Sequence, residues 1–246
     1  MKMFNGKRLI GALVACGLTM AVTAAPAHAG LVLGISNGNT VLTIADGSGF
    51  DADGAVGGIA YSGTGVFGIW TLVMSTGDSD PLETAPYPHM HLSVSARSSA
   101  ASVTGNTTGS GDLFVALTDT DFITNPGKYY LNVGGSTNGT VSAADWRDDG
   151  NAEFGSGILL NSTGLLGSGG YSANLNSALF TTAPALGYSV TIASIFHNNE
   201  AGTSSGDFEL STTRSTVPEP ASLSLLGLGL VGLATRARRR LQGKKQ

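Results

Sequence analysis

Short β-forming runs, repeatedly broken by turn formers, constrain this chain more than any other feature. Val41, Thr43 and Ala45 alternate with the apolar Leu42 and Ile44, and His91, Ser93 and Ser95 alternate with Leu92, Val94 and Ala96. A period of two marks a strand with one buried face. The same reading predicts strands over 31–35, 40–45, 66–74, 90–96, 113–118, 128–133, 139–143, 188–196 and 208–211. Between them lie Asn37-Gly38-Asn39, Asp46-Gly47-Ser48-Gly49, Gly77-Asp78-Ser79-Asp80-Pro81 and Asn125-Pro126-Gly127. Such clusters supply the positive φ angles and pre-set turns of hairpins. No stretch of the body sustains a helical apolar period. The expectation is an all-β body, a β-sandwich or jelly-roll-like fold. Aromatic residues beside apolar runs, Trp70, Tyr129, Tyr130, Trp146, Tyr188 and Phe196 among them, argue against disorder. Segments 98–111 and 164–170 are poor in apolar residues and read as loops or weak edges.

The two ends do not follow this pattern. Lys2, Lys7 and Arg8 precede an apolar stretch over 9–23 and the small-x-small box Ala27-His28-Ala29. This is the layout of a secretory signal peptide, residues 1–29, cut after Ala29. Its helix would engage the secretion translocon and signal peptidase. A competing reading takes Leu13-Val14-Ala15-Cys16 as a lipoprotein box, but the apolar run continues well past Cys16. Cys16 is the single cysteine. Once the leader is removed, the body can form no disulfide and no thiolate site.

With the ends set aside, the charge balance changes. The segment 30–220 holds all 17 acidic residues but only Arg97, Lys128, Arg147 and Arg214, a formal charge of −13 against −4 for the whole chain. A body so acidic lacks the basic footprint of a nucleic-acid binder.

The C-terminal segment, 215–246, opens on Val217-Pro218-Glu219-Pro220. The prolines keep the approach extended. An uncharged run over 221–235 follows, then Arg236, Arg238, Arg239 and Arg240. As a helix that run spans about 22 Å, a short transmembrane helix that needs flanking residues or bilayer thinning. The arginines form a cytoplasmic stop and leave the body, 30–214, outside. A plain membrane anchor would share these features. The order of motif, short apolar helix and basic cluster resembles the PEP-CTERM sorting signal of Gram-negative and some other environmental bacteria. That resemblance implies processing by exosortase, a membrane-embedded cysteine protease, at or near Pro218-Glu219-Pro220. It implies transient inner-membrane anchoring and then delivery to the cell surface or extracellular matrix, and it links the family to exopolysaccharide and biofilm. Segments 40–53, 88–95 and 113–122 also resemble, more loosely, uncharacterised β-rich exported proteins that carry this tail.

Candidate chemistry in the body is sparse. His89 and His91 share one strand face and suit a metal ion if a third ligand joins them; His197 is the other body histidine. Partly exposed histidines at a strand start are the plainer account. Asp46, Asp51 and Asp53 crowd a glycine loop of the kind calcium prefers, without EF-hand spacing. Asp78 with Asp80, and Asp145 with Asp148 and Asp149, read as further acidic loops. Solvated turn aspartates are the plainer account of them. Trp146, among Arg147 and aspartates, is the candidate for stacking on a sugar; a packing tryptophan is the alternative. Trp70, between Ile69 and Leu72, reads as core. No nucleophile elbow or phosphate loop occurs. The expectation is therefore a non-enzymatic surface protein needing no cofactor, structural or adhesive in the extracellular polysaccharide matrix. Alternatives are a calcium-assisted carbohydrate-binding module and a metal-dependent hydrolase using His89 and His91.

Overall fold

The computed structural model describes residues 30–79, 87–103, 111–123, 127–182 and 184–213. The segment expected as a signal peptide with Ala27 and Ala29, Asp80, the sorting motif Val217, Pro218, Glu219 and Pro220, the run expected as a transmembrane helix, and Arg236, Arg238, Arg239 and Arg240 lie outside the described residues. Among the described residues no helix is long and apolar enough to cross a membrane.

Over the described residues the body is all-β: two antiparallel six-stranded sheets. Its strands are β1 (Val32–Ser36), β2 (Val41–Ala45), β3 (Gly58–Phe67), β4 (Trp70–Ser79), β5 (Met90–Ser98) and β6 (Leu113–Phe122). They continue with β7 (Lys128–Thr137), β8 (Gly139–Asp148), β9 (Ile158–Ser162), β10 (Gly169–Asn176), β11 (Tyr188–Asn198) and β12 (Gly202–Thr213). The first sheet has the order β2-β1-β6-β11-β8-β9, the second β10-β7-β12-β5-β4-β3.

Period-two alternation decides which face is buried. Leu92, Val94 and Ala96 of β5 point inward, while His91, Ser93 and Ser95 stay on the outer face. Leu33 and Ile35 of β1, Leu113, Val115 and Leu117 of β6, and Val190, Ile192 and Phe196 of β11 meet them from the first sheet. Phe196 and Phe208 lock the sheets together edge to face, 6.1 Å between centroids. Trp70 is fully buried and its indole N–H donates to the Gly111 carbonyl at 2.8 Å. Each such side chain contributes on the order of 1.5–3 kcal/mol by leaving water.

Several strands depart from the sequence expectation. The run 66–74 is not one strand but the turn of a hairpin. Phe67 ends β3, Trp70 begins β4, and Gly68 between them has φ 63°. Gly77-Asp78-Ser79, expected as a turn, is the end of β4. A Cβ on Gly77 would stand 2.5 Å from Leu117 Cδ1, so the glycine is there to admit the opposite sheet. Asp145-Trp146-Arg147-Asp148, expected as an acidic loop, is strand β8. Strands β9 and β10 were not expected at all. Both are edges; β10 is rich in Gly, Ser and Asn and owes its state to its partner rather than propensity.

Candidate functional site

The outer face of the first sheet is built from small residues. Register places Thr43, Gly34, Ala116, Ala193 and Ala144 side by side across β2, β1, β6, β11 and β8. The next row towards the Ser36 end of β1 holds Val41, Ser36, Phe114, Ile195 and Ser142. Val41 is 72% exposed, and Phe114 and Ile195 are also open to solvent.

The loop 149–157, between β8 and β9, crosses this face. Ser189 Oγ donates to the Ala152 carbonyl at 2.6 Å, and the Phe154 amide donates to Thr118 Oγ1 at 3.2 Å. Asn151 and Phe154 hold left-handed backbone at φ 58° and 52°. Asn151 secures the turn through its Nδ2 donor to Asp121 Oδ1 at 2.6 Å. These anchors carry the Phe154 ring over β1, where a Cβ on Gly34 would lie 2.9 Å from Phe154 Cζ. Two hollows result along β1 and β2. One lies between Phe154 and Phe114, over Gly34, Ser36, Val41 and Thr43. The other continues past Glu153 over Val32, Asp46 and Val56. Together they run from Gly30 to Ser36, about 20 Å at the rise of a strand.

The sequence candidates are distributed differently. Trp146 is half-buried on the outer face of β8, three strands from β1, in one row with Thr191, Thr118 and Val32. It does not line either hollow. Asp51 Oδ1 accepts the amides of Asp53 (2.9 Å) and Ala60 (3.1 Å), and Asp51 Oδ2 accepts that of Gly47 (3.0 Å). Burial works against its ionised form, but those three N–H groups hold its carboxyl below the ordinary value. Asp46 Oδ2 accepts the Gly57 amide at 2.7 Å. Asp46 and Asp51 thus tie the connection between β2 and β3. Among the described residues no three His, Cys, Asp or Glu side chains are grouped to hold a metal ion.

His89 and His91 stand on the outer face of the second sheet, and each meets carboxylates of its own. His89 Nε2 pairs with Glu209 Oε1 at 3.2 Å. His91 Nε2 pairs with Asp207, and Nδ1 lies 3.4 Å from Asp78 Oδ2. Burial opposes the charged ring, but Asp207 and Asp78 outweigh it and raise the His91 pKa. His197 lies on β11 in the other sheet, with Nδ1 2.7 Å from Asp112 Oδ1, so the structure does not bring the three histidines together.

Two further carboxylates are buried. Asp119 accepts from Ser79 Oγ at 2.5 Å and from the Thr120 amide at 2.8 Å; burial raises its pKa to about 6. Asp145, on the inner side of β8, accepts from Asn161 Nδ2 at 3.0 Å, and burial raises it to about 7. Arg147, two residues on, is boxed by Tyr188 and Phe180 at 4.4 and 5.1 Å and pairs with Asp149 at 2.7 Å. Asp119 and Asp145 sit in opposite halves of the strand order and face no hollow described above. Sequence reasoning missed Phe154, Phe114 and Gly34. The one available signal was a lone aromatic in the glycine-flanked loop Asn-Ala-Glu-Phe-Gly-Ser-Gly.

Residues 216–240 match the model of the PEP-CTERM protein-sorting motif. No curated protein matches the chain significantly in sequence. Among solved structures, the K1 cleaved adhesin domain of Lys-gingipain from Porphyromonas gingivalis W83 is similar at 12% identity and TM-score 0.32, over 68% of this chain and 97% of that one. The N-terminal cellulose-binding domain of Cellulomonas fimi β-1,4-glucanase C is similar at 16% identity and TM-score 0.31, over 68% and 95%. The family 11 carbohydrate-binding module from Clostridium thermocellum is similar at 13% identity and TM-score 0.27, over 66% and 93%. With TM-scores well below 0.5, these likenesses bear on no site of this chain. The sorting motif implies an exported protein that is anchored in the membrane for a time, with exosortase as its processing partner.

Proposed function

We propose that this chain, which carries a PEP-CTERM protein-sorting motif at residues 216–240, is a non-enzymatic adhesive component of the extracellular polysaccharide matrix. Its contact surface is the outer face of the first sheet. The observation that carries this reading is the track along β1 and β2, where Phe154 is held over Gly34 and faces Phe114 across an open hollow. Aromatic rings beside a small-residue floor accept the apolar faces of sugar rings. Asp46 and Glu153 along the same track offer carboxylate partners to sugar hydroxyls. A track of about 20 Å accommodates several sugar units.

Charge narrows the ligand. A body of −13 repels an anionic polymer, so the polysaccharide is neutral. The buried carboxylates support the non-enzymatic reading, because Asp119 and Asp145 are engaged by Ser79 and Asn161 rather than presented to a cleft.

Affinity electrophoresis of the exported protein through neutral and acidic polysaccharides tests this. Retardation is expected in a neutral gel, and Phe154→Ala is expected to weaken it about tenfold, the loss of one stacked ring. Binding is expected to survive chelation, since Asp51 and Asp46 already accept backbone N–H groups. Retention by acidic polysaccharides alone, or full binding by Phe154→Ala, would overturn the reading.

A further inference from the structure

From Phe154 to Asn199 the sequence contains no Asp, Glu, Lys or Arg, 46 residues in a body that elsewhere carries a large negative excess. The fold gathers part of this stretch on one side. Strand β9 is an edge of the first sheet and β10 an edge of the second. Strand β7, the neighbour of β10, adds only Lys128 at its start.

The edges differ in how they are protected. Exposed strand edges invite pairing, and proteins blunt them with charges, bulges or short length. Strand β3 is broken by two register shifts against β4. Strand β9 has five residues and a shift of its own. Strand β2 also has five, and it runs into the Asp46–Asp51 turn. Strand β10 has none of these devices: eight residues pair with β7 in unbroken register. Among the described residues no strand lies on its other side. Ser177, next in line, donates its amide to the Tyr129 carbonyl at 2.9 Å. By the two-residue period of the antiparallel ladder, Ser172, Asn174 and Asn176 direct their backbone N–H and C=O groups away from β7. Flanking connections add Leu165 and Leu179, 78% and 58% exposed.

We propose that two copies of this chain join through β10, antiparallel about a two-fold axis, into one continuous twelve-stranded sheet. The occupant is a second copy for an electrostatic reason. Two bodies of −13 repel wherever their acidic surfaces meet, and the β10 side is where that charge is absent. With Ala173 on the axis, Ser172 and Asn174 exchange backbone hydrogen bonds in both directions. Tyr171 then stands opposite Leu175 on the inner face, where both already pack on the core. The pair would present two polysaccharide tracks, which strengthens attachment by avidity.

Sedimentation of the exported protein, recovered from an exosortase-bearing host, tests the proposal. A dimer is expected at about 100 µM, a concentration that reveals even weak pairs. Asn174→Lys sets cations at the axis and is expected to weaken the dimer at least about tenfold with unchanged circular dichroism. Val73→Lys, exposed on β4 beside the far edge of the same sheet, is expected to leave it intact. Ala173→Cys is expected to form a covalent dimer under oxidising conditions. A monomeric wild-type protein, a dimer indifferent to Asn174→Lys, or no cross-link from Ala173→Cys would each overturn the proposal, whatever the outcome of the polysaccharide experiment.

Discussion

Asp145 is where burial and charge conflict most in this molecule. It lies on the core side of β8, and one of its oxygens has no hydrogen-bond partner. Burial raises its pKa to about 7, and that of Asp119 to about 6. A carboxyl raised in the folded state binds its proton more tightly than in the unfolded chain. The stability it contributes is complete below the unfolded value near pH 4 and is lost as pH rises through 6 and 7. His91, also raised, acts in the same direction above about pH 6.5. Two groups oppose this at the acid end. Glu209, lowered by the His89 hydrogen bond, and Asp51, lowered by backbone amides, lose their contribution as pH falls below about 4. The unfolding temperature is therefore expected to peak near pH 5 and to fall towards pH 8. Asp145→Asn should flatten that fall, read by calorimetry across the range. An unchanged slope would mean that Asp145 is ionised in the fold. None of this was legible in the sequence, where Asp145 looked like one of three aspartates in a loop. Only the strand register turns it inward and leaves Asp148 facing out.

At the scale of elements, legibility was uneven among both turns and strands. Asn37-Gly38-Asn39 was expected as a turn and is the β1–β2 hairpin connection. Asn37 is fully buried, and its Oδ1 accepts the amides of Asn39 and Thr40 at 3.1 and 2.8 Å. Gly38 takes φ 84°. Asn37→Ala strands two donors and should cost about 1–3 kcal/mol, seen as a lower urea midpoint with an unchanged slope. Strands with strong alternation, β2 and β5, could be read directly. The hairpin within 66–74 could not, because apolar residues continue on both sides of Gly68 and a single glycine was its only signal. Strand β10 was hidden for the opposite reason. Its residues, Gly-Gly-Tyr-Ser-Ala-Asn-Leu-Asn, have little strand propensity, and pairing with β7 alone makes them a strand. The hollow under Phe154 was equally hidden. It depends on a loop crossing four strands to meet Gly34, and no local pattern records a contact between residues 120 positions apart.

At the scale of the whole molecule, the sorting motif bears on where the protein goes and the body on what it touches. Mass spectrometry of the exported protein from an exosortase-bearing host should find a C-terminus at or near Pro218-Glu219-Pro220. A mature chain that still ends at Gln246 would leave the tail as a simple anchor. The amino-acid sequence by itself determined the sorting motif at 216–240, the acidity of the body, its lack of cysteine and its all-β character. Each of these is a local or compositional property, written in adjacent residues. Tertiary structure alone decided which aspartates are buried, which aromatic stands over Gly34 and which edge is left long and unbroken. Those depend on strand order and register, which long-range packing fixes and neighbouring residues do not encode.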